Sequence, residues 1–419
     1  MDNKQKTIFV YDDWSREFPV LMGRLYVQFS RGEEVFSFEY EDSWLKNNNT
    51  LILDPDLSFY GGKQYVFGNK KQFGLFMDSE PDRWGRMLLK RRENVIAKRE
   101  GRAAKSLTET DYLLGVEDFT RMGALRFKTE ENGEFLAYNE DMTVPPVTRL
   151  RELEAASLAY EKDNELLNDK WVKLLIGPGS SLGGARPKAN VEDLDGILWI
   201  AKFPSRNDEY DSGAWEYVVH ELAVRCGLNV PQAKIIKFSD FGSTFLVKRF
   251  DRAGAKRIHF ASAMTLLGKS DGESNECSYL DLLEFLTSYG ASAKQDAIEL
   301  WKRIVFNLAV KNTDDHLRNH GFILEKDGWR LSPLYDVNPN PDGTHLSLNI
   351  TENDCSLDYG LALDTAKYYG ITRVEAEKYV KETKIIISEE WQSIAKKVGL
   401  RESSLKYMQS AFVPETTII

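Results

Sequence analysis

Apolar and polar residues alternate with a period of two near the start of the chain, over residues 7–11, 23–27 and 35–40. That period marks half-buried strands. Turns at Arg31-Gly32 and Tyr60-Gly61-Gly62 punctuate it, so residues 7–80 are predicted to be strand-rich. A helical stretch opens at Asp82-Arg83-Trp84-Gly85-Arg86 and runs to about Arg102. Residues 128–148, with Pro145-Pro146, read as loop, and a helix is predicted over 148–176. Residues 187–250 read as strand, helix and hairpin. From about residue 260 the helical period prevails. Ala297, Leu300, Trp301, Ile304, Val305, Leu308 and Ala309 share one helix face, and Thr372-Arg373-Val374-Glu375 has capping-box spacing. The pattern predicts an α+β chain, with strands first and helices later. It contains no internal repeat and no low-complexity segment.

The helical period stops after Ala309, where the polar run Lys311-Asn312-Thr313-Asp314-Asp315-His316-Leu317-Arg318-Asn319 begins. Gly321-Phe322-Ile323-Leu324, a turn at Lys326-Asp327-Gly328 and Trp329-Arg330-Leu331 then read as a hairpin. This hairpin delivers Leu334-Tyr335-Asp336 back to the loop. Asp314 stands five residues before Asn319, and Asp336 follows 17 residues after it. Phosphoryl transfer of the protein-kinase type needs this order. One carboxylate accepts the proton of the attacking hydroxyl. An amide oxygen and a second carboxylate hold magnesium, which prefers hard oxygen ligands and takes few from protein. Asp314 fits the base, and Asn319 with Asp336 fits the metal pair. Asp and Asn also populate ordinary turns, so the spacing alone leaves a plain turn as the alternative. The helix before the loop and the hairpin after it favour the chemistry. A literal Asp240-Phe241-Gly242 lies about 70 residues before the loop, on the wrong side for a metal ligand, and reads as a hairpin turn.

A second feature is the Gly-rich run from Gly177 to Gly184, followed by Ala185-Arg186-Pro187-Lys188. Glycines let backbone N–H groups approach phosphate oxygens. The run is neither a Walker A loop nor G-x-G-x-x-G, and a plain linker is the competing reading. It precedes an apolar strand, Leu198-Trp199-Ile200-Ala201-Lys202-Phe203, that carries a lysine. Such a lysine is either at an edge or paired with a charge. A kinase reading gives Lys202 the nucleotide phosphates and makes Glu216 its natural counter-ion, with a plain surface Glu as the equal alternative.

Composition narrows the class. The chain has 419 residues, 42% of them hydrophobic, enough for two or three domains with sizeable cores. A net charge of −10 gives no global basic field for nucleic acid. Within it, Lys90-Arg91-Arg92 reads as a solvated helix face, with a binding patch as the alternative. Three widely spaced cysteines form no metal pattern and no disulfide framework. The first residues lack a signal-peptide pattern, and no apolar run approaches the roughly 18 residues of a membrane span. A soluble cytoplasmic protein with no membrane partner is expected.

Taken together, the motifs resemble the HipA family of bacterial toxin kinases along nearly the whole chain. The likeness is carried by Arg31-Gly32, Phe36-Ser37-Phe38, Gly74-Leu75-Phe76, Pro81 to Arg86, Arg121 and Gly123 to Phe127 in the first part. Later it is carried by Ser181 to Lys188, Lys202-Phe203-Pro204, Val247 to Arg252, Asn312 to Asn319 and Tyr335-Asp336-Val337. The resemblance implies a two-lobed protein-kinase-like fold, with a strand-rich N-terminal lobe and a mostly helical C-terminal lobe. Residues 1–150 would form a family-specific subdomain, 151–250 the Gly-rich loop and nucleotide-binding part, and 251–419 the helical lobe with the catalytic loop. It implies ATP and magnesium as cofactors. Gly183, Gly184, Ala185, Arg186, Pro187, Lys188, Lys202, Lys248, Arg249, Phe250, His316, Leu317, Arg318, Asn319, Tyr335 and Asp336 would line the nucleotide site. The family's loop serine is autophosphorylated; Ser181 matches it, with Ser180 beside it as a second acceptor. Also implied are a protein substrate, an aminoacyl-tRNA synthetase in some members, and a small DNA-binding antitoxin through which alone DNA is met. The alternative is an antitoxin-bound repressor component with little kinase activity.

Overall fold

A computed structural model describes residues 5–47, 52–68, 70–136, 144–162, 175, 184 and 186–412. The chain divides into two compact units: residues 1–206 with 249–261, and residues 207–248 with 262–419. Each mixes helix and sheet. Among the described residues, no helix is long and apolar enough to cross a membrane.

The first unit is built on an antiparallel sheet of β1 (Lys6–Asp12), β2 (Val20–Ser30), β3 (Glu33–Tyr40), β4 (Gln64–Tyr65) and β5 (Leu125–Lys128), in the order β4-β3-β2-β1-β5. The alternation seen in sequence becomes one buried face, with Ile8, Val10, Leu25, Phe38 and Phe127 inside. The β2–β3 turn is tight, and Arg31 and Gly32 take φ of 54° and 90°. Helix α1 (Arg83–Glu100) begins at Asp82, whose Oδ1 accepts the Gly85 N–H at 2.7 Å, and ends at Gly101 in the left-handed region. Lys90 on this helix is exposed, while Arg91 and Arg92 are half-buried and so only partly solvated. Helix α2 (Glu109–Gly115) and helix α3 (Leu150–Lys162) follow. The rest of the predicted 148–176 helix lies mostly outside the described residues. The hairpin β6 (Lys188–Glu192) and β7 (Leu198–Lys202) completes this part, with Lys188 and Lys202 directly opposite.

The second unit starts with α4 (Ser212–Arg225) and the hairpin β8 (Ala233–Ser239) and β9 (Gly242–Lys248). Asp240 and Phe241 form its exposed turn, as the motif's position predicts. Helices α5 (Tyr279–Tyr289) and α6 (Ala293–Ala309) precede the hairpin β10 (Gly321–Glu325) and β11 (Gly328–Leu331). Gly328 has φ of 144°, and a Cβ there would lie 2.6 Å from the Tyr289 carbonyl oxygen, so this turn accepts only glycine. Helix α7 (Arg373–Lys397) opens with the expected capping box at Thr372 and Glu375, and α8 (Glu402–Phe412) closes the unit. Trp215 of α4, Trp391 of α7 and Phe412 of α8 are buried together; the Trp391 and Phe412 rings stack at 4.9 Å.

Candidate active site

The apolar face of α6 runs out at Ala309, and the chain turns sharply. Lys311 takes φ of 48° and Asp336 φ of 56°. Of the three non-glycine residues with positive φ among the described ones, these two flank the polar loop. Such conformations cost about 1–3 kcal/mol each and persist only where surrounding contacts hold them.

The contacts are present beneath the loop. Asn312 returns its N–H to the Asn307 carbonyl at 2.9 Å and its side-chain amide to Asn307 Oδ1 at 3.1 Å. Asn307 in turn donates to the Tyr279 hydroxyl at 2.9 Å, and that hydroxyl donates to Asp315 Oδ2. Asp315 Oδ1 accepts the Ser347 N–H at 2.7 Å, and Ser347 Oγ donates to the Thr313 carbonyl at 2.8 Å. Asp315 is therefore a buried anchor. Burial pushes its carboxyl up to about 6, while the Tyr279 and Ser347 donors pull the other way. His320, buried against the same ring, is held neutral, its pKa driven down to about 3 by burial. Nothing local in the sequence pointed to Tyr279 or Ser347. Asn307, an amide inside the buried run of α6, was the one visible signal.

The adjacent Asp314 behaves oppositely. Its side chain is 82% exposed, above the clamped loop. Partial loss of hydration raises its carboxyl above the ordinary range; the His316 imidazole, with Nε2 3.8 Å away, opposes this and the like charge of Asp336 adds to it. Asn319 is buried and donates Nδ2 to the Asp314 carbonyl at 2.7 Å, which leaves Oδ1 as its acceptor. Asp336 arrives after β11, with Oδ1 accepting from Asn338 Nδ2 at 3.3 Å. The Tyr335 hydroxyl donates to the Arg318 carbonyl at 2.7 Å and ties that segment to the loop. Leu317 is buried, its N–H on Ser274 Oγ at 3.2 Å, and Arg318 forms a two-pronged ion pair with Asp271 at 2.6 and 2.8 Å.

Among the described residues, no group of three His, Cys, Asp or Glu side chains is placed to hold a metal unaided. An amide oxygen from Asn319 and a carboxylate from Asp336 fit a hard cation that draws its remaining ligands from phosphate and water. Lys248, the end residue of β9, is half-buried and bonds its N–H to the Gln232 carbonyl at 2.8 Å.

The other sequence candidates lie in the first unit. Lys188 is buried, with Nζ 2.9 Å from Asp82 Oδ2. Gly184, at φ of 115°, would bring a Cβ within 3.3 Å of that nitrogen. Arg186 Nε donates to the Phe203 carbonyl at 3.2 Å, and the Pro187 carbonyl accepts the Phe203 N–H at 2.8 Å. Lys202 is buried at the end of β7. The Arg249 guanidinium is engaged with Asp251, Asn190 Oδ1 and the carbonyls of Thr120 and Arg121, contacts that no local motif announces. Phe250 packs on Phe260 at 5.9 Å. Ser180, Ser181, Gly183 and Ala185 lie outside the described residues.

Comparison with known proteins bears on these motifs. Residues 180–408 match the family model of the HipA-like C-terminal domain. A putative kinase of Haemophilus influenzae is 24% identical over 302 residues, which is 63% of this chain and 88% of that protein. A serine/threonine-protein kinase toxin HipA of Shewanella oneidensis is 25% identical over 265 residues, 54% of this chain and 59% of the toxin. The solved structure of Shewanella oneidensis HipA, from its complex with HipB and operator DNA, shares the fold with a TM-score of 0.66 at 17% identity, over 97% of this chain and 95% of that one. The matched family model covers more than half of the chain, and this protein belongs to the HipA family.

Proposed function

We propose that this chain is a magnesium- and ATP-dependent serine/threonine protein kinase, acting as the toxin of a toxin–antitoxin pair. One observation carries the reading. In a doublet of identical residues, Asp315 is buried as an anchor while Asp314 stands out on a fixed loop, with the Asn319 amide bonded to its carbonyl and the Asp336 charge acting on it. The names of the relatives, two of them kinases, agree with it.

ATP and magnesium, when bound, supply the electrophilic γ-phosphoryl group and neutralise its charge. Asp314 orients the acceptor hydroxyl and takes its proton on a carboxylate oxygen as the oxygen–phosphorus bond forms and ADP departs. Its raised pKa suits a base better than an ordinary surface carboxylate. Asn319 Oδ1 and Asp336 would hold the cation. The buried network under Asp315 keeps the loop from shifting, which matters because displacement by about 1 Å costs of order a hundredfold in rate.

The partner in this reading is a small DNA-binding antitoxin; the solved HipA comes from a toxin–antitoxin complex with HipB and operator DNA. With a net charge of −10, the chain meets DNA through that partner and not by itself. Autophosphorylation falls on Ser181 or Ser180, and the acceptor in the cell is a protein, with aminoacyl-tRNA synthetases the first to test. Incubating the purified chain with γ-labelled ATP is the test. Label should appear on protein with magnesium and disappear on chelation. No ATP consumption under either condition would overturn the kinase reading and leave the repressor-complex role.

A further inference from the structure

Beside the catalytic loop, within the second unit, lies a cavity of about 420 Å³. Its walls include His316 and Arg318 from the loop, Asn275 from the segment before α5, and His345, Leu346 and Cys355 from the segment after Asp336. Ligand pockets run from roughly 300 to 1,000 Å³, so this one has room for a short extended segment. Resting on the kinase reading, we propose that the cavity is the acceptor subsite, which seats an extended polypeptide with uncharged residues beside its serine or threonine.

Three observations support this occupant. The first is place: His316 lines the cavity and has Nε2 3.8 Å from Asp314 Oδ1, so a chain lying here presents a hydroxyl to the proposed base. The second is charge. Arg318 is neutralised by the two-pronged pair with Asp271, so the cation that would attract nucleotide phosphates is already matched. The third is an unmet hydrogen-bonding atom. His316 Nδ1 is buried and has no hydrogen-bond partner among the described residues. In an imidazole ring each nitrogen either donates or accepts, so Nδ1 calls for a partner from whatever fills the cavity. An extended peptide, which offers a backbone N–H and a C=O at every residue, satisfies it in either role.

Cys355 makes the test direct. It is the half-exposed cysteine of the three, Cys226 and Cys277 being buried, so a maleimide reports on this wall. Dephosphorylated casein serves as the unfolded polypeptide acceptor. We expect casein to slow Cys355 alkylation of the wild-type chain and ATP with magnesium to leave it unchanged. Cys355→Trp, which fills the cavity, should raise the KM for casein about tenfold relative to the KM for ATP, and Cys355→Ala should not. Protection by ATP in place of casein would overturn the proposal by giving the cavity to the nucleotide. So would equal rises in both KM values. A wild-type chain that consumes ATP while casein is neither phosphorylated nor protective overturns the acceptor assignment alone. A chain that consumes no ATP overturns the kinase reading beneath it. Alkylation needs no variant to fold.

Discussion

Replacing Lys188 by Met separates a structural lysine from a nucleotide-binding one. Lys188 Nζ lies 2.9 Å from Asp82 Oδ2, and both side chains are only 2% exposed. Asp82 also caps α1 through its other oxygen, and the indole N–H of Trp84 donates to the Lys188 carbonyl at 3.1 Å. The pair thus joins the start of a helix to the first residue of β6. Removing one partner strands a buried charge, at a cost of about 3–5 kcal/mol. For a unit of roughly 200 residues, each kcal/mol moves the midpoint by about 2–4 °C, so Lys188→Met should lower it by roughly 6–20 °C. Adding Asp82→Asn removes the stranded charge and should recover part of the loss. Calorimetry on the two single variants and the double variant gives the coupling, and ATP titration of the same samples gives affinity at a temperature where all are folded. A Lys188→Met chain that melts with the wild type but no longer binds ATP would refute the structural role and move Lys188 to the phosphates.

Lys202, opposite Lys188 across the hairpin, is the strand lysine proposed for the phosphates. Lys202→Ala should cut kcat/KM for ATP by about two orders of magnitude, measured by coupled ADP release. Asp315→Asn tests the anchor by pH. Its folded-state carboxyl is raised to about 6, so its stabilising contribution is whole below about pH 4 and fades as pH rises through 6. Urea titrations should therefore show the variant to be more destabilised at pH 4 than at pH 7, by up to about 3 kcal/mol; a difference independent of pH would contradict the buried anchor. His320 is present in both chains and its acid titration cancels. Mass spectrometry after incubation with ATP should find one phosphate on Ser181 or Ser180. Its charge of roughly −1.5 to −2 should weaken ATP binding by the fully modified form; undiminished affinity would remove the switch.

What the sequence revealed was local. Alternation exposed β1 to β3, the apolar stripe from Ala297 to Ala309 became α6, and the spacing of Asp314, Asn319 and Asp336 located the loop. Strand and helix periods are written within a few residues, so they survive without knowledge of tertiary contacts. The sequence was silent on pairs formed across distance. Asp82 and Lys188 meet from over a hundred residues apart in sequence, and Arg249 finds Thr120 and Arg121 at a still greater separation. The Asp314-Asp315 doublet is the sharpest case. Spacing favoured the first aspartate, but only burial shows why the second is unsuited to act as base: it is held beneath the loop by Tyr279 and Ser347.

The most direct measurement is phosphate transfer and ATP affinity for Asp314→Asn and Asp336→Asn, side by side. Asp314→Asn loses the proton acceptor and keeps the metal ligands. Its transfer rate should fall by about two to four orders of magnitude with ATP affinity near that of the wild type. Asp336→Asn should lose both transfer and the magnesium-dependent part of ATP binding. Wild-type transfer rates in both variants would contradict the account.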